Sequence, residues 1–247
     1  MTDPLPAGML DELVAANHIL YQHGVVDGFG HVSVRDPRDA SRFWMSRSMA
    51  PGLVTAEDVL PFDLDCNPLI PDAPPVYAER FIHGEIYKQR PEVMSVVHSH
   101  APSLIPFGAV SDVPLMPLYH MSSFLGTGAP IFEIRDHAGD SSDLLIREPA
   151  LGEALAKTLG DSAVILMRGH GATVVGTEIR QAVFRAIYAA ESAALQAQAL
   201  RLGPVTYLTL GEAENASRAN DIHMGRAWDL WMRNVTNTGG CSCGEKT

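Results

Sequence analysis

VMSVVHSHAP, residues 93–102, decides how the rest of this chain is read. Its first seven residues hold Val93, Val96 and Val97 and contain no Gly or Pro, the composition of a buried strand. Side chains two apart in a strand point to the same face, so His98 and His100 project side by side from its end. Two neutral imidazoles placed this way suit one metal ion. Alone, the pair is equally compatible with two incidental surface histidines, and the neighbouring segments must decide.

Downstream, AVILM (163–167) is a second buried strand, and it runs into Arg168-Gly169-His170-Gly171. Glycines on both sides of His170 allow a sharp turn and the close approach of a ligand. α/β sheets present functional groups in this way, although a solvent-exposed turn histidine has the same local pattern. Upstream, PPVYAERFIHGEIY (74–87) puts Glu79 at the start of a helix read over 78–89. A carboxylate suits the positive end of the helix dipole there. His83 lies four residues on, on the same face; a capping acid and a core histidine would give the same pattern. Arg80 suits a substrate carboxylate or an ordinary surface ion pair. In GFGHVSVR (28–35) and MSRSMAPG (45–52), Gly28 and Gly30 around an aromatic suggest a tight loop near a ligand, faced by His31 and Arg47. Turn glycines and surface polar groups are the plainer alternative.

The remaining pattern predicts helices over 8–22, 103–109, 149–159, 177–202 and about 212–234, with Gly24 stopping the first. Short strands are expected at 32–35 and 43–46 around an Asp36-Pro37-Arg38-Asp39 turn. Residues 50–75 read as loops and short strands, and 111–148 as a long irregular stretch of the kind that is usually functional. No repeat or linker divides the 247 residues. One α/β domain over 1–235 is expected, with 236–247 as a disordered tail.

Hydrophobic residues make up 46% and charged residues 19%, which excludes a disordered chain. The net charge of −11 gives no electrostatic reason to bind nucleic acid or an anionic membrane. No apolar run approaches membrane-spanning length, and the N-terminus lacks the pattern of a signal peptide. Three cysteines, Cys66, Cys241 and Cys243, form no disulfide framework, and a cytoplasmic location fits. Cys241-Ser-Cys243 is read as part of the loose tail rather than as a metal site.

Glu79, then His-x-His, then Gly-His-Gly, in that order, resembles the class II aldolase/adducin family from about residue 8 to about 210. The resemblance implies a single domain with a central β-sheet flanked by helices. It also implies a divalent metal (zinc, manganese or cobalt) held by His98, His100 and His170, with Glu79 beside it. A homotetramer with active sites at subunit interfaces is implied as well. The family's sugar-phosphate aldolases have Asn where this chain has His31, and phosphate-holding serines where it has Tyr77 and Ala78. Their Tyr from a neighbouring subunit aligns with Met121 in PLYHMSS, next to His120, although Tyr119 is two residues away.

GHVSVR and MSRSMAPG look instead like the branch that decarboxylates hydroxylated aromatic or pyridine dicarboxylates. On that resemblance Glu79 and His31 are the catalytic candidates, and Ser46, Arg47, Tyr77, Arg80 and His120 the candidate substrate contacts. An aldolase or epimerase acting on an unphosphorylated hydroxy-carbonyl compound is the second reading. A non-catalytic scaffold like adducin is the third, and it has no need of the three histidines and the glutamate.

Overall fold

The computed structural model describes residues 3–238. In chain order the elements are α1 (Ala7–Gln22), β1 (His31–Arg35), β2 (Arg42–Ser46), β3 (Val59–Asp63), α2 (Phe81–Gln89), β4 (Ser95–Ser99), α3 (Ile105–Ala109), β5 (Ile131–Phe132), α4 (Arg135–Ala138), α5 (Pro149–Leu159), β6 (Val164–Met167), β7 (Gly171–Gly176), α6 (Ile179–Leu202), α7 (Leu210–His223) and α8 (Gly225–Thr238). The strands form one seven-stranded sheet in the order β3-β2-β1-β4-β7-β6-β5. Every pairing is antiparallel except β5 with β6.

Strand alternation sorts the apolar side chains into two cores, one on each face of the sheet. Val32, Val34, Val97, Leu166 and Val174 pack with α1, α6 and α8. Phe43, Met45, Val96, Ile165 and Val175 pack with α2 and α5 on the opposite face. A sheet with both faces covered favours apolar residues on both, which is why β6 reads as a continuous apolar run and β4 carries Val96 and Val97 side by side rather than alternating.

GATVVG is a further strand, β7, and it makes the Gly-His-Gly stretch the turn of a hairpin with β6. The helix expected over 212–234 is two, α7 and α8, parted at Met224. α8 also continues to Thr238, past the boundary expected at 235. Cys241 and Cys243 lie outside the described residues. Among those residues no helix is long and apolar enough to cross a membrane.

The 36–39 turn is tied down by Asp36, which is buried. Its carboxylate accepts hydrogen bonds from the Arg38 backbone N–H and guanidinium at 2.8–2.9 Å and from Trp44 Nε1 at 3.0 Å. The Arg38 guanidinium is the main reason its pKa is held down at about 2. A depressed carboxylate stabilises the fold above its ordinary range and loses that contribution as pH falls through the folded value. Asp36→Asn should therefore cost about 1–3 kcal/mol at neutral pH. In urea titrations the gap from wild type should shrink as pH drops from 4 towards 2; a gap independent of pH would contradict this account.

Candidate active site

Four chain segments converge at one end of the central strands. β4 pairs with β1 on one side, setting His98 opposite His31, and with β7 on the other, setting His98 opposite Thr173. His100 follows directly, where β4 has ended. His170 closes the β6–β7 hairpin, whose turn needs Gly169 in the left-handed region at φ +66°. Glu79 sits in a 3-10 turn over Ala78–Arg80 that leads into α2, at a kink with φ −90° and ψ 16°.

The ligating atoms of Glu79, His98, His100 and His170 all lie within 4.8 Å of one another. His100 Nε2 is 3.2 Å from His98 Nε2 and 2.9 Å from His170 Nε2. Glu79 Oε2 is 3.6 Å from His98 Nε2 and 3.4 Å from His170 Nε2. Ligands about 2.0–2.1 Å from a common ion stand about 3–3.5 Å apart, so the spacing suits one small divalent ion. The hydrogen bonds behind the cluster point the same way. His170 Nδ1 donates to the Leu144 carbonyl at 2.8 Å, so Nε2 turns a lone pair inward. His98 Nδ1 meets Thr173 Oγ1 at 3.2 Å. Leu144 holds a left-handed backbone, φ +69°, which is costly for a leucine. In that conformation its carbonyl reaches the histidine.

Burial pushes His98 well below its ordinary pKa and lowers His100, keeping both imidazoles neutral and able to ligate. Burial would also raise the Glu79 carboxyl, but His170, His98 and the Ile146 N–H outweigh it and bring it down to about 2. Glu79 is therefore ionised at neutral pH. His170 moves the other way: burial lowers it, and Glu79 with the Leu144 carbonyl more than restores it, leaving it raised. A proton and a metal ion compete for that one lone pair.

Glu79, His98 and His100 of the cluster line a cavity of about 510 Å³, with His170 directly behind them. Its wall includes Phe29, His31, Met49, Tyr77 and Leu145. Phe29 is 69% exposed, an aromatic side chain standing at the mouth. The Tyr77 hydroxyl donates to the Met49 carbonyl at 2.5 Å, and its ring lies 4.6 Å from that of His31.

The other candidate contacts sit elsewhere. Ser46 is buried behind Tyr77, with its Oγ 3.3 Å from the Tyr77 hydroxyl. Arg47 is turned to Asp58 at 2.7 Å. Arg80 donates to the backbone carbonyls of Cys66 and Tyr77 and stacks on Phe81, so neither arginine lines the cavity. His120 is exposed at the start of a 3-10 turn held by Asn220, beside a separate groove formed with α6, α7 and α8. His83 and Tyr87, absent from the expected site, are joined to His31 through hydrogen bonds.

Gly171 has no room for a side chain: a Cβ there would lie 2.1 Å from the Ser99 carbonyl and 3.1 Å from the His100 ring. Gly171→Ala must push β7 away from β4 between two of the clustered histidines. It is expected to cost about 1–3 kcal/mol of stability and to weaken divalent-ion binding in parallel. Thermal denaturation with and without added metal checks this, and a variant of wild-type stability and affinity would refute it.

Residues 11–197 match the family model described as the class II aldolase and adducin N-terminal domain. The chain belongs to the class II aldolase and adducin family. Among its relatives, decarboxylase tropJ of Talaromyces stipitatus is 40% identical over 260 residues, covering 96% of this chain and 97% of that one. The 3,4-dihydroxyphthalate decarboxylase of Arthrobacter keyseri is 28% identical, over 80% of this chain and 81% of that one. An aldolase II superfamily protein from Pseudomonas syringae superposes with a TM-score of 0.78 at 20% identity, covering 96% of each chain. The L-fuculose 1-phosphate aldolase of Glaciozyma antarctica gives 0.76 at 23% identity, covering 97% of this chain and 95% of that one. These two solved structures share the fold. Within the class II aldolase and adducin family the chain falls on the decarboxylase branch, and it is a carbon–carbon lyase of the carboxy-lyase kind.

Proposed function

We propose that the chain removes carbon dioxide from a hydroxylated aromatic or pyridine carboxylate, using one divalent ion held by His98, His100 and His170 beside Glu79. The observation that carries this reading is the cavity lining. Phe29, Met49, Tyr77 and Leu145 offer a flat ring apolar and aromatic contact, and no lysine or arginine is among the lining residues. A phosphate dianion gains nothing from that wall and finds no bidentate partner in it. With Arg47 and Arg80 engaged elsewhere, a ring with one carboxylate suits the lining better than a diacid. Zinc, manganese and cobalt all suit the donor set.

When bound, the ion supplies Lewis acidity for the substrate's carboxylate and the hydroxyl ortho to it. Glu79, ionised, takes the proton of that hydroxyl and delivers it to the ring carbon bearing the carboxylate. Loss of carbon dioxide returns the bonding electrons to the ring oxygen; Glu79 is a carboxylate again, and solvent reprotonates the product oxygen. His31, on the cavity wall next to His98, is suited to hydrogen-bond the departing carboxylate. The family resemblance supports a homotetramer in which the exposed His120 turn reaches a neighbour's cavity. Light scattering should give the mass of four chains, and an active monomer would contradict that arrangement.

The test of function is carbon dioxide release from a panel of ortho-hydroxy aryl and pyridine mono- and diacids, each run against the same acid without its hydroxyl. Release is expected only from the hydroxylated members. Cleavage of L-fuculose 1-phosphate with every aryl acid inert would replace this reading with an aldolase.

A further inference from the structure

His31, Ser33 and Arg35 alternate along β1 and so share one face of the sheet. His83 and Tyr87 are four apart on α2, which packs on that face. The two periodicities mesh into one buried chain of single hydrogen bonds. His31 Nδ1 is 2.7 Å from His83 Nε2, His83 Nδ1 is 2.6 Å from Ser33 Oγ, and Ser33 Oγ is 2.7 Å from the Tyr87 hydroxyl. Arg35 lies over the Tyr87 ring at 4.7 Å and donates to the Tyr87 carbonyl, fixing the far end.

Each link has one hydrogen to place, so the direction of one bond sets all the others. Tyr87 is 1% exposed, and burial keeps its phenol protonated. A buried donor without an acceptor costs about 1–3 kcal/mol, so the phenol hydrogen goes to Ser33 Oγ. Ser33 then gives its own hydrogen to His83 Nδ1. His83, which burial pushes down to about 3, is neutral and carries its hydrogen on Nε2, donating it to His31 Nδ1. His31 is left with its hydrogen on Nε2, the ring nitrogen away from this chain.

We propose that His83, oriented by Ser33 and Tyr87, is a positioning residue that fixes the His31 tautomer with Nε2–H directed to the cavity, so that His31 meets substrate as a hydrogen-bond donor. The part assigned to the substrate rests on the function proposed above; the tautomer itself does not.

The test is a solid-state nitrogen-15 spectrum of the zinc-supplemented full chain, labelled only at histidine. The His31 signals are assigned by their loss in His31→Asn. A protonated Nε2 and a bare Nδ1 are expected. A hydrogen on Nδ1, alone or on both nitrogens, would overturn the proposal. The spectrum needs no substrate, so its result stands apart from the identity of the acid. In Tyr87→Phe the chain loses its anchor, and a second His31 population protonated at Nδ1 should appear. With an active acid, kcat should fall about tenfold while KM stays within about twofold. A folded Tyr87→Phe with an unchanged spectrum also counts against the proposal; if that variant does not fold, the wild-type spectrum decides alone.

Discussion

His170→Ala is expected to fold, to lose its divalent ion and to lose turnover by at least about a thousandfold, because the remaining imidazoles cannot close the coordination shell that the chemistry needs. His170 sits in the β6–β7 turn at the end of the sheet, away from the apolar side chains that hold the two cores, so the fold is expected to survive its removal. The loss is specific: Nε2 contributes a lone pair 2.9 Å from that of His100, while Nδ1 anchors the ring to Leu144. Alanine supplies neither. Circular dichroism should match wild type, and elemental analysis after dialysis against zinc or manganese should show the ion gone. A variant that keeps full activity would remove His170 from the site, and metal-free wild-type protein after the same treatment would remove the ion itself.

Glu79→Gln separates holding an ion from moving a proton. Glutamine keeps the length of the side chain and an oxygen able to accept the Ile146 N–H bond, which is 2.9 Å in the native site. The three histidines stay in place, so metal content should be retained. An amide cannot take up and hand on a proton at neutral pH, and kcat should fall by about 10²–10⁴ with little change in KM. The native carboxyl is ionised down to pH of about 2, so the wild-type rate should show no acid limb attributable to Glu79 in the neutral range. Near-normal kcat in Glu79→Gln would transfer the proton-moving role to another group.

Much of this was legible in the sequence, for identifiable reasons. β4 and β6 declared themselves because strands buried on both faces favour adjacent apolar residues, Val96-Val97 in β4 and all four residues of β6, and the period of two placed His98 beside His100. β7 stayed hidden because it begins and ends in glycine, and Gly171 is there to avoid the Ser99 carbonyl, a contact between strands distant in sequence. Arg47 and Arg80 looked like anion binders because a sequence shows charge and not its partner; Asp58 and two backbone carbonyls had already engaged them. His83 read as a plain core histidine. The available signal lay in two patterns taken together, His-x-Ser-x-Arg along β1 and His-x-x-x-Tyr along α2, each putting polar groups where a buried face calls for apolar ones.

The proposed ligand set comes from the entry to α2, the end of β4 and the β6–β7 hairpin, stretches far apart along the chain. An ion bound to all three acts as a cross-link: it binds the folded chain and has no preformed partner set in the unfolded one. By mass action, free ion at a hundred times its dissociation constant adds about 2.7 kcal/mol to the free energy of unfolding. Chelation should therefore lower the melting temperature and loosen the turn around His170, making that turn, rather than the central strands β6 and β7 themselves, the first point of protease cleavage.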